Sequence, residues 1–342
     1  MDHSRIKLLE EGISFAQGEE DDQYWDINEF KKKLKIKIYH VLKTEMEFDI
    51  IGCDASLVNA IRRILISEVP IMAIDKVMLY NNTSIIPDEV LCHRLGLIPL
   101  KVNPHLFNFK PLGEELSLNP NDTLEFELNI KCSKNANAPP NSNDPDALYI
   151  NNKVFSSAIK WLPIKNQFEQ YFSLSLEKQP MPVNSDILIA KLIPGQVIQL
   201  KMLAFKGKGS DHAKFSPVCT AHYRYLPDII LKKSIMNEQA IKFQQCFTKG
   251  VIELAIDRKG NKIARVKDAR YDQCSRNVFR YPEFKDKVEL SKIRNHFVFN
   301  IESTGCLEPD TLFKESIKIL MEKCQKWIFE IDIYQSKRKD LP

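Results

Sequence analysis

Phe313, Ile317, Leu320, Cys324, Trp327 and Ile331 follow one another at steps of 4, 3, 4, 3 and 4 residues. That spacing confines the segment to one long amphipathic helix, because only a repeat near 3.6 residues per turn stacks such positions on one face. Leu312, Met321 and Ile328 widen the stripe. Asp310 precedes it and Lys337, Arg338 and Lys339 follow it, the order that the helix dipole favours. A stripe this broad is expected to pack both on the chain's own sheet and on another subunit.

A second helix is expected where Leu57, Ile61, Ile64 and Leu65 form one apolar stripe, with Arg62 and Arg63 off its centre. Asp54 or Ser56 can cap its start and Pro70 stops it. Strands flank it. Leu34–Ile38 and Met46–Ile50 alternate apolar and polar residues, and Ile71–Tyr80 reads as a buried strand ending in Asn81-Asn82. A short helix is expected after Pro87, closed by Gly96.

From about 100 to 225 prolines become frequent and helical periodicity gives way to short alternating runs at Leu124–Ile130, Ile187–Ile193 and Val197–Met202. Ser133 to Asn141 reads as an exposed loop. After Pro227 the first pattern resumes: a strand at Ile229–Leu231, a helix carrying Ala240, Phe243 and Phe247 and capped by Asn237, then strands at Val251–Ile256 and His296–Ile301. The fold class is therefore α+β, a sheet-and-helix domain split by a β-rich insertion. The segments are an N-terminal arm (1–33), a first part (34–86), an inserted domain (87–225) and a second part (226–342). The arm, with Glu19-Glu20-Asp21-Asp22, Tyr24 and Trp25, reads as a solvated stretch able to dock through its rings.

Composition excludes several classes. The 49 basic and 45 acidic residues leave a net charge of +4, too small to drive nucleic-acid binding alone. No apolar run exceeds four residues, whereas a membrane helix needs roughly 20. The opening residues carry Asp2, Glu10 and Glu11 and no basic-then-apolar stretch, so no secretory leader is expected. The eight cysteines are never closer than 18 residues, which fits free thiols in a reducing compartment and no zinc or iron–sulfur spacing. A soluble, intracellular chain without metal or cofactor is expected.

Catalytic signatures are sparse. Lys206 to Lys214 holds two glycines among lysines and could approach phosphate, yet it lacks the spacing of a Walker loop. His212, Cys219 and His222 could donate metal ligands, although surface histidines in a turn are the more ordinary reading. The interval 257–294 carries twelve basic against six acidic residues, with Tyr271, Phe279, Tyr281 and Phe284 interleaved. Aromatics among arginines can stack bases, so a stand-alone nucleic-acid-binding protein is the alternative.

Taken together, six stretches resemble one family. Asn59-Ala60-Ile61-Arg62-Arg63-Ile64-Leu65-Ile66-Ser67-Glu68-Val69-Pro70 is similar to the N-A-x-R-R-x-L-x-x-E-x-P signature of alpha-like RNA polymerase subunits. Met72–Val77 with Asn81–Ile85, and Asp88–Pro99, continue the likeness. Asp211–Val218, Tyr223–Pro227 and Ile301–Gly305 narrow it to the larger alpha-like subunit shared by eukaryotic RNA polymerases I and III. The resemblance implies a non-catalytic scaffold in the nucleus, in nucleolus and nucleoplasm, serving synthesis of ribosomal RNA precursors and of small RNAs such as 5S rRNA and tRNA. A split dimerisation domain would pair with the smaller alpha-like subunit. The pair would then recruit the second-largest catalytic subunit and a small zinc-binding shared subunit. Leu57, Ile61, Ile64, Leu65, Phe313, Ile317, Leu320, Cys324, Trp327 and Ile331 are the expected dimer interface, and Arg62 and Arg63 the expected large-subunit contact. Sequence-specific nucleic-acid contact is not expected. Some relatives carry clustered cysteines for a metal in the inserted domain; here Cys92, Cys132 and Cys219 form no close pair.

Overall fold

The computed structural model describes residues 5–15, 25–111, 113–114, 117–139, 143–172, 179–258 and 260–339, and it is an α+β chain. Two compact units interleave along the sequence. One takes the described residues up to His40, Glu47–Asn59 and His222–Asn300; the other takes Val41–Met46, Ala60–Ala221 and the described residues from Ile301. Within the second unit Ile71–Asn82 pairs along its length with Val197–Gly207.

The first unit is organised by a six-stranded sheet in the order Ile13–Phe15, Arg5–Leu8, Val288–Ser303, Glu45–Ile51, Lys35–Val41, with Val218–Leu231 also paired to Val288–Ser303. Arg5 lies opposite Ile293 and Leu8 opposite Leu290, so the stretch expected to be a solvated arm supplies two strands. It also supplies the helix Ile27–Lys33, capped by Asp26, whose Oδ1 accepts from Asn28 N at 2.8 Å. Glu19 to Asp22 and Tyr24 lie outside the described residues. Two expected strands are longer than their apolar cores suggested: Val218–Leu231 runs through Pro227, and Val288–Ser303 spans 16 residues. Among the described residues Val218–Leu231 pairs only with Val288–Ser303, and such an edge is where a strand tolerates proline.

The sheet's core stacks Phe48 on Phe299 at 5.2 Å and sets Phe297 against Tyr225 at 5.0 Å. Around it, the helix Asn237–Gln245 buries Ala240 and Phe243 in a cluster with Ile252, Phe279 and Phe284. Asn237 does not cap that helix as expected. It is the first helical residue at φ 54°, and its Oδ1 accepts from Lys262 N at 3.3 Å, tying the helix to the hairpin Ile252–Ile256/Lys262–Val266.

In the second unit a four-stranded antiparallel sheet runs Lys160–Leu162, Thr123–Lys131, Val197–Gly207, Ile71–Asn82. Its central strands alternate: Phe126, Leu128, Leu200, Met202 and Ala204 have no exposure, while Glu125 and Lys201, at the alternate positions, pair at 2.8 Å. The helix Asp88–Gly96 lays Leu91 and Leu95 onto the same core. Ser133–Lys134, expected in a loop, pairs with Tyr149–Ile150, while 140–142 lie outside the described residues. Pro309–Lys339 forms one helix of 31 residues, and no described helix is long and apolar enough to cross a membrane.

Candidate partner-binding site

The C-terminal helix changes character along its length. Its first turns are covered by the chain itself: Leu312 and Ser316 have no exposure, and Phe313, Ile317 and Leu320 are half-buried. Asp310 anchors its start, its Oδ1 accepting from Thr311 N at 2.7 Å and its Oδ2 from Lys314 Nζ at 2.9 Å, and the Lys314 bond holds its carboxyl below the usual range. Lys323 Nζ then donates to Glu68 Oε1 at 2.6 Å. From Met321 to Glu330 every residue is exposed.

That uncovered half is strongly apolar. Trp327 is 67%, Ile328 61%, Phe329 64% and Tyr334 67% exposed, and Ile331 is half exposed. Tyr334 extends the seam by one further step of three. Phe329 lies two residues from Trp327, about 200° round the helix, so the belt is apolar on more than one face. Phe329 and Tyr334 were not singled out from the sequence, although counting apolar residues off the seam would have found them.

The expected interface residues therefore separate. Cys324, Trp327 and Ile331 are open to a partner. Ile61, Ile64 and Leu65 are 6%, 2% and 0% exposed, covered by this chain, so their apolar stripe serves the core and offers no surface. Leu57 is half-buried and lines an open groove of about 850 Å³ with Trp25, Phe30 and Arg294. Its helix, Ala55–Ser67, starts on Asp54, whose Oδ1 accepts from Ser56 N at 2.8 Å; hydrogen bonds from Ser56 hold that carboxyl below its ordinary range. Arg63 is exposed and Arg62 half-buried.

The phosphate-loop reading loses its geometry, and the basic block keeps Tyr271 and Tyr281 exposed but not its phenylalanines. Gly209 packs so closely that an added Cβ would sit 2.2 Å from Ile66 O, and one on Gly207 would meet the Phe215 ring at 2.6 Å. Lys206 Nζ donates to Phe107 O at 3.0 Å, and Lys214 Nζ donates to Asp75 Oδ1 at 2.5 Å. The glycines serve close packing and these lysines serve internal partners, so the loop presents no phosphate cradle. In the 257–294 block, Phe279 and Phe284 are core residues. Arg270 is buried against Glu47 and Asp49, and Lys285 pairs with Glu10. The block's excess charge is thus partly spent inside its own unit. Among the described residues no group of three His, Cys, Asp or Glu side chains is arranged to hold a metal.

The comparisons with known proteins agree with the sequence signature. Residues 47–324 match the model of the RNA polymerase Rpb3/Rpb11 dimerisation domain. The chain is similar to the DNA-directed RNA polymerases I and III subunit RPAC1 of Mus musculus, 47% identical over 311 residues, covering 91% of this chain and 88% of the relative. The Homo sapiens protein of that name is 46% identical over 314 residues (92% and 89%), and the Saccharomyces cerevisiae one 45% over 303 residues (88% of each chain). The RNA polymerase II subunit rpb3 of Dictyostelium discoideum is more distant, 29% identical over 306 residues (87% and 94%).

Proposed function

Since the chain belongs to the RNA polymerase Rpb3/Rpb11 dimerisation-domain family, whose members are non-catalytic polymerase subunits, we propose that it is an assembly subunit of nuclear RNA polymerases I and III. In this reading its C-terminal helix packs against the smaller alpha-like subunit. The pair then recruits the second-largest catalytic subunit, with Arg62 and Arg63 at that junction, and a small zinc-binding shared subunit. The enzymes so built make ribosomal RNA precursors in the nucleolus and small RNAs, such as 5S rRNA and tRNA, in the nucleoplasm. The segments 34–86 and 226–342 form the split dimerisation domain and 87–225 the insertion.

One observation carries the pairing: the exposed belt of Trp327, Ile328, Phe329, Ile331 and Tyr334 on a helix whose first turns are already packed. Burying a large apolar side chain contributes about 1.5–3 kcal/mol, so five give on the order of 10 kcal/mol before association costs. An obligate partner interface uses such a surface. Affinity purification of the tagged chain from nuclei tests the proposal. Stoichiometric recovery of a smaller alpha-like subunit and of large subunits from both polymerases is expected; recovery of the chain alone would contradict it.

A further inference from the structure

The strand Lys35–Val41 ends the six-stranded sheet, and among the described residues nothing pairs with its outer side. All of its residues except His40 are exposed, including Ile36 at 49%, Ile38 at 59% and Val41 at 51%. Edge strands of natural proteins are usually short, bulged, covered or charged, since an open row of N–H and C=O groups invites another strand; here Lys35 and Lys37 repel a like-charged strand and leave the edge open to an acidic one. This one is 7 residues long, apolar in alternation and uncovered.

Its backbone groups have a definite direction. Leu42 N donates to Glu45 O at 2.7 Å and closes a two-residue hairpin onto Glu45–Ile51. Antiparallel pairing alternates along a ladder. A ladder continued from that bond without a bulge turns the backbone groups of Ile36, Ile38 and His40 toward Glu45–Ile51 and those of Lys35, Lys37 and Tyr39 outward. The 3.8 Å approach of His40 Nδ1 to Glu47 Oε2 fits this register.

The strand is also held ready. The Arg270 guanidinium lies over the Tyr39 ring at 3.8 Å, and the same guanidinium is bonded to Glu47 and Asp49 on the neighbouring strand. Lys37 Nζ covers the Tyr39 ring at 4.7 Å. A pre-ordered edge loses little further entropy on pairing.

We propose that Lys35–Val41 is a strand-addition site for an extended segment of a partner protein, one that alternates acidic and apolar residues. The charge selects that occupant. Lys31, Lys32, Lys33, Lys35 and Lys37 are all exposed within seven positions, and Glu29 engages Lys33 at 3.0 Å. A second copy of this chain would set lysine against lysine across the new ladder, whereas glutamates there would be matched. Main-chain bonds supply the affinity, and the lysines with Ile36 and Ile38 supply the selectivity. Strand addition here does not depend on the pairing proposed for the C-terminal helix.

The test uses the recombinant full-length chain, co-expressed with the companion that covers its C-terminal helix, and two fluorescein-labelled octapeptides, one alternating valine and glutamate, the other valine and lysine. Fluorescence anisotropy should show binding of the acidic peptide at least tenfold tighter than of the basic one, weakening as salt rises. Lys37→Pro removes an outward N–H that the sheet itself does not use, so it should lower acidic-peptide affinity at least tenfold, with Lys37→Ala falling between it and the parent. Lys35→Glu/Lys37→Glu should reverse the preference and serves as the test should the proline variant fail to fold. Equal binding of the two peptides, binding of neither, unchanged affinity in a folded Lys37→Pro variant, or self-association through this edge would each overturn the proposal.

Discussion

Arg270 Nη1 donates to Asp49 Oδ1 at 2.5 Å across 221 positions of sequence, and the two side chains are 7% and 1% exposed. Arg270 Nε also donates to Glu47 Oε1 at 2.8 Å, and His296 Nε2 stands 2.7 Å from Asp49 Oδ2. An arginine in a basic run, which read as a binding feature, is thus a tie between an irregular segment and the sheet. Removing one member of a buried ion pair leaves an unpaired charge and costs about 3–5 kcal/mol, whereas replacing both with apolar residues is often near neutral. In Asp49→Ala the guanidinium keeps Glu47 while His296 loses its partner, so the loss in urea unfolding should lie at the lower end, about 3 kcal/mol. Asp49→Leu/Arg270→Met should recover most of the loss.

Acid sensitivity should come in part from Glu289. Its carboxylate accepts from Lys232 Nζ at 2.7 Å and lies 3.0 Å from Lys7 Nζ, and these hydrogen-bonded ammonium groups hold its pKa below the ordinary value. A depressed carboxyl contributes stability that is full above the unfolded pKa, about 4.3 for glutamate. That contribution fades as pH falls through the folded value. Stability measured from pH 6 down to 2 should fall in this window, and Glu289→Gln should flatten that part of the slope.

Gly209 is predicted to be a packing residue. Its added Cβ would strike Ile66 O, and the neighbouring Ser210 N donates to Ser67 O at 2.9 Å, holding the end of the arginine helix. Gly209→Ala should cost about 1–3 kcal/mol as an overpacking change. Lys208→Ala removes only a 5.6 Å approach of the ammonium to the Phe109 ring and should cost at most about 1 kcal/mol. Thermal unfolding of the two variants separates this account from a phosphate-binding loop, in which the lysine would matter and the glycine would serve the ligand.

The proposed large-subunit contact is tested with Arg62→Ala/Arg63→Ala. Loss of one charge-assisted contact is worth roughly 1.5–3 kcal/mol. Capture of the second-largest subunit should therefore weaken by about tenfold or more in a pull-down. The heterodimer itself should survive gel filtration; its loss would mean that this face of the helix belongs to the dimer.

How much of this was legible follows from where each signal resides. The C-terminal seam is local, and its period of three and four placed the helix and its open positions Cys324, Trp327 and Ile331. The buried pairing of Arg270 with Asp49 joins distant segments, and no local pattern carries it. The same holds for Arg5–Leu8, a strand only because Ile293 to Leu290 stand opposite. The expected strand Ile229–Leu231 is only the end of Val218–Leu231, whose length is set by its distant partner Val288–Ser303 and not by the local apolar run. Ile61, Ile64 and Leu65 form a true apolar stripe, but a stripe does not say whether the covering surface is the chain itself or another.

The most direct measurement is the dissociation constant of the chain with the smaller alpha-like subunit, compared between Trp327→Asp and Lys326→Asp. Both positions are exposed in the lone chain and lie one residue apart on the same helix. Burying an unpaired carboxylate in the apolar belt should abolish pairing, whereas Lys326→Asp should leave it within a few-fold of the parent. Equal affinity in both variants, or a parent chain that stays a stable monomer beside that subunit, would contradict the account.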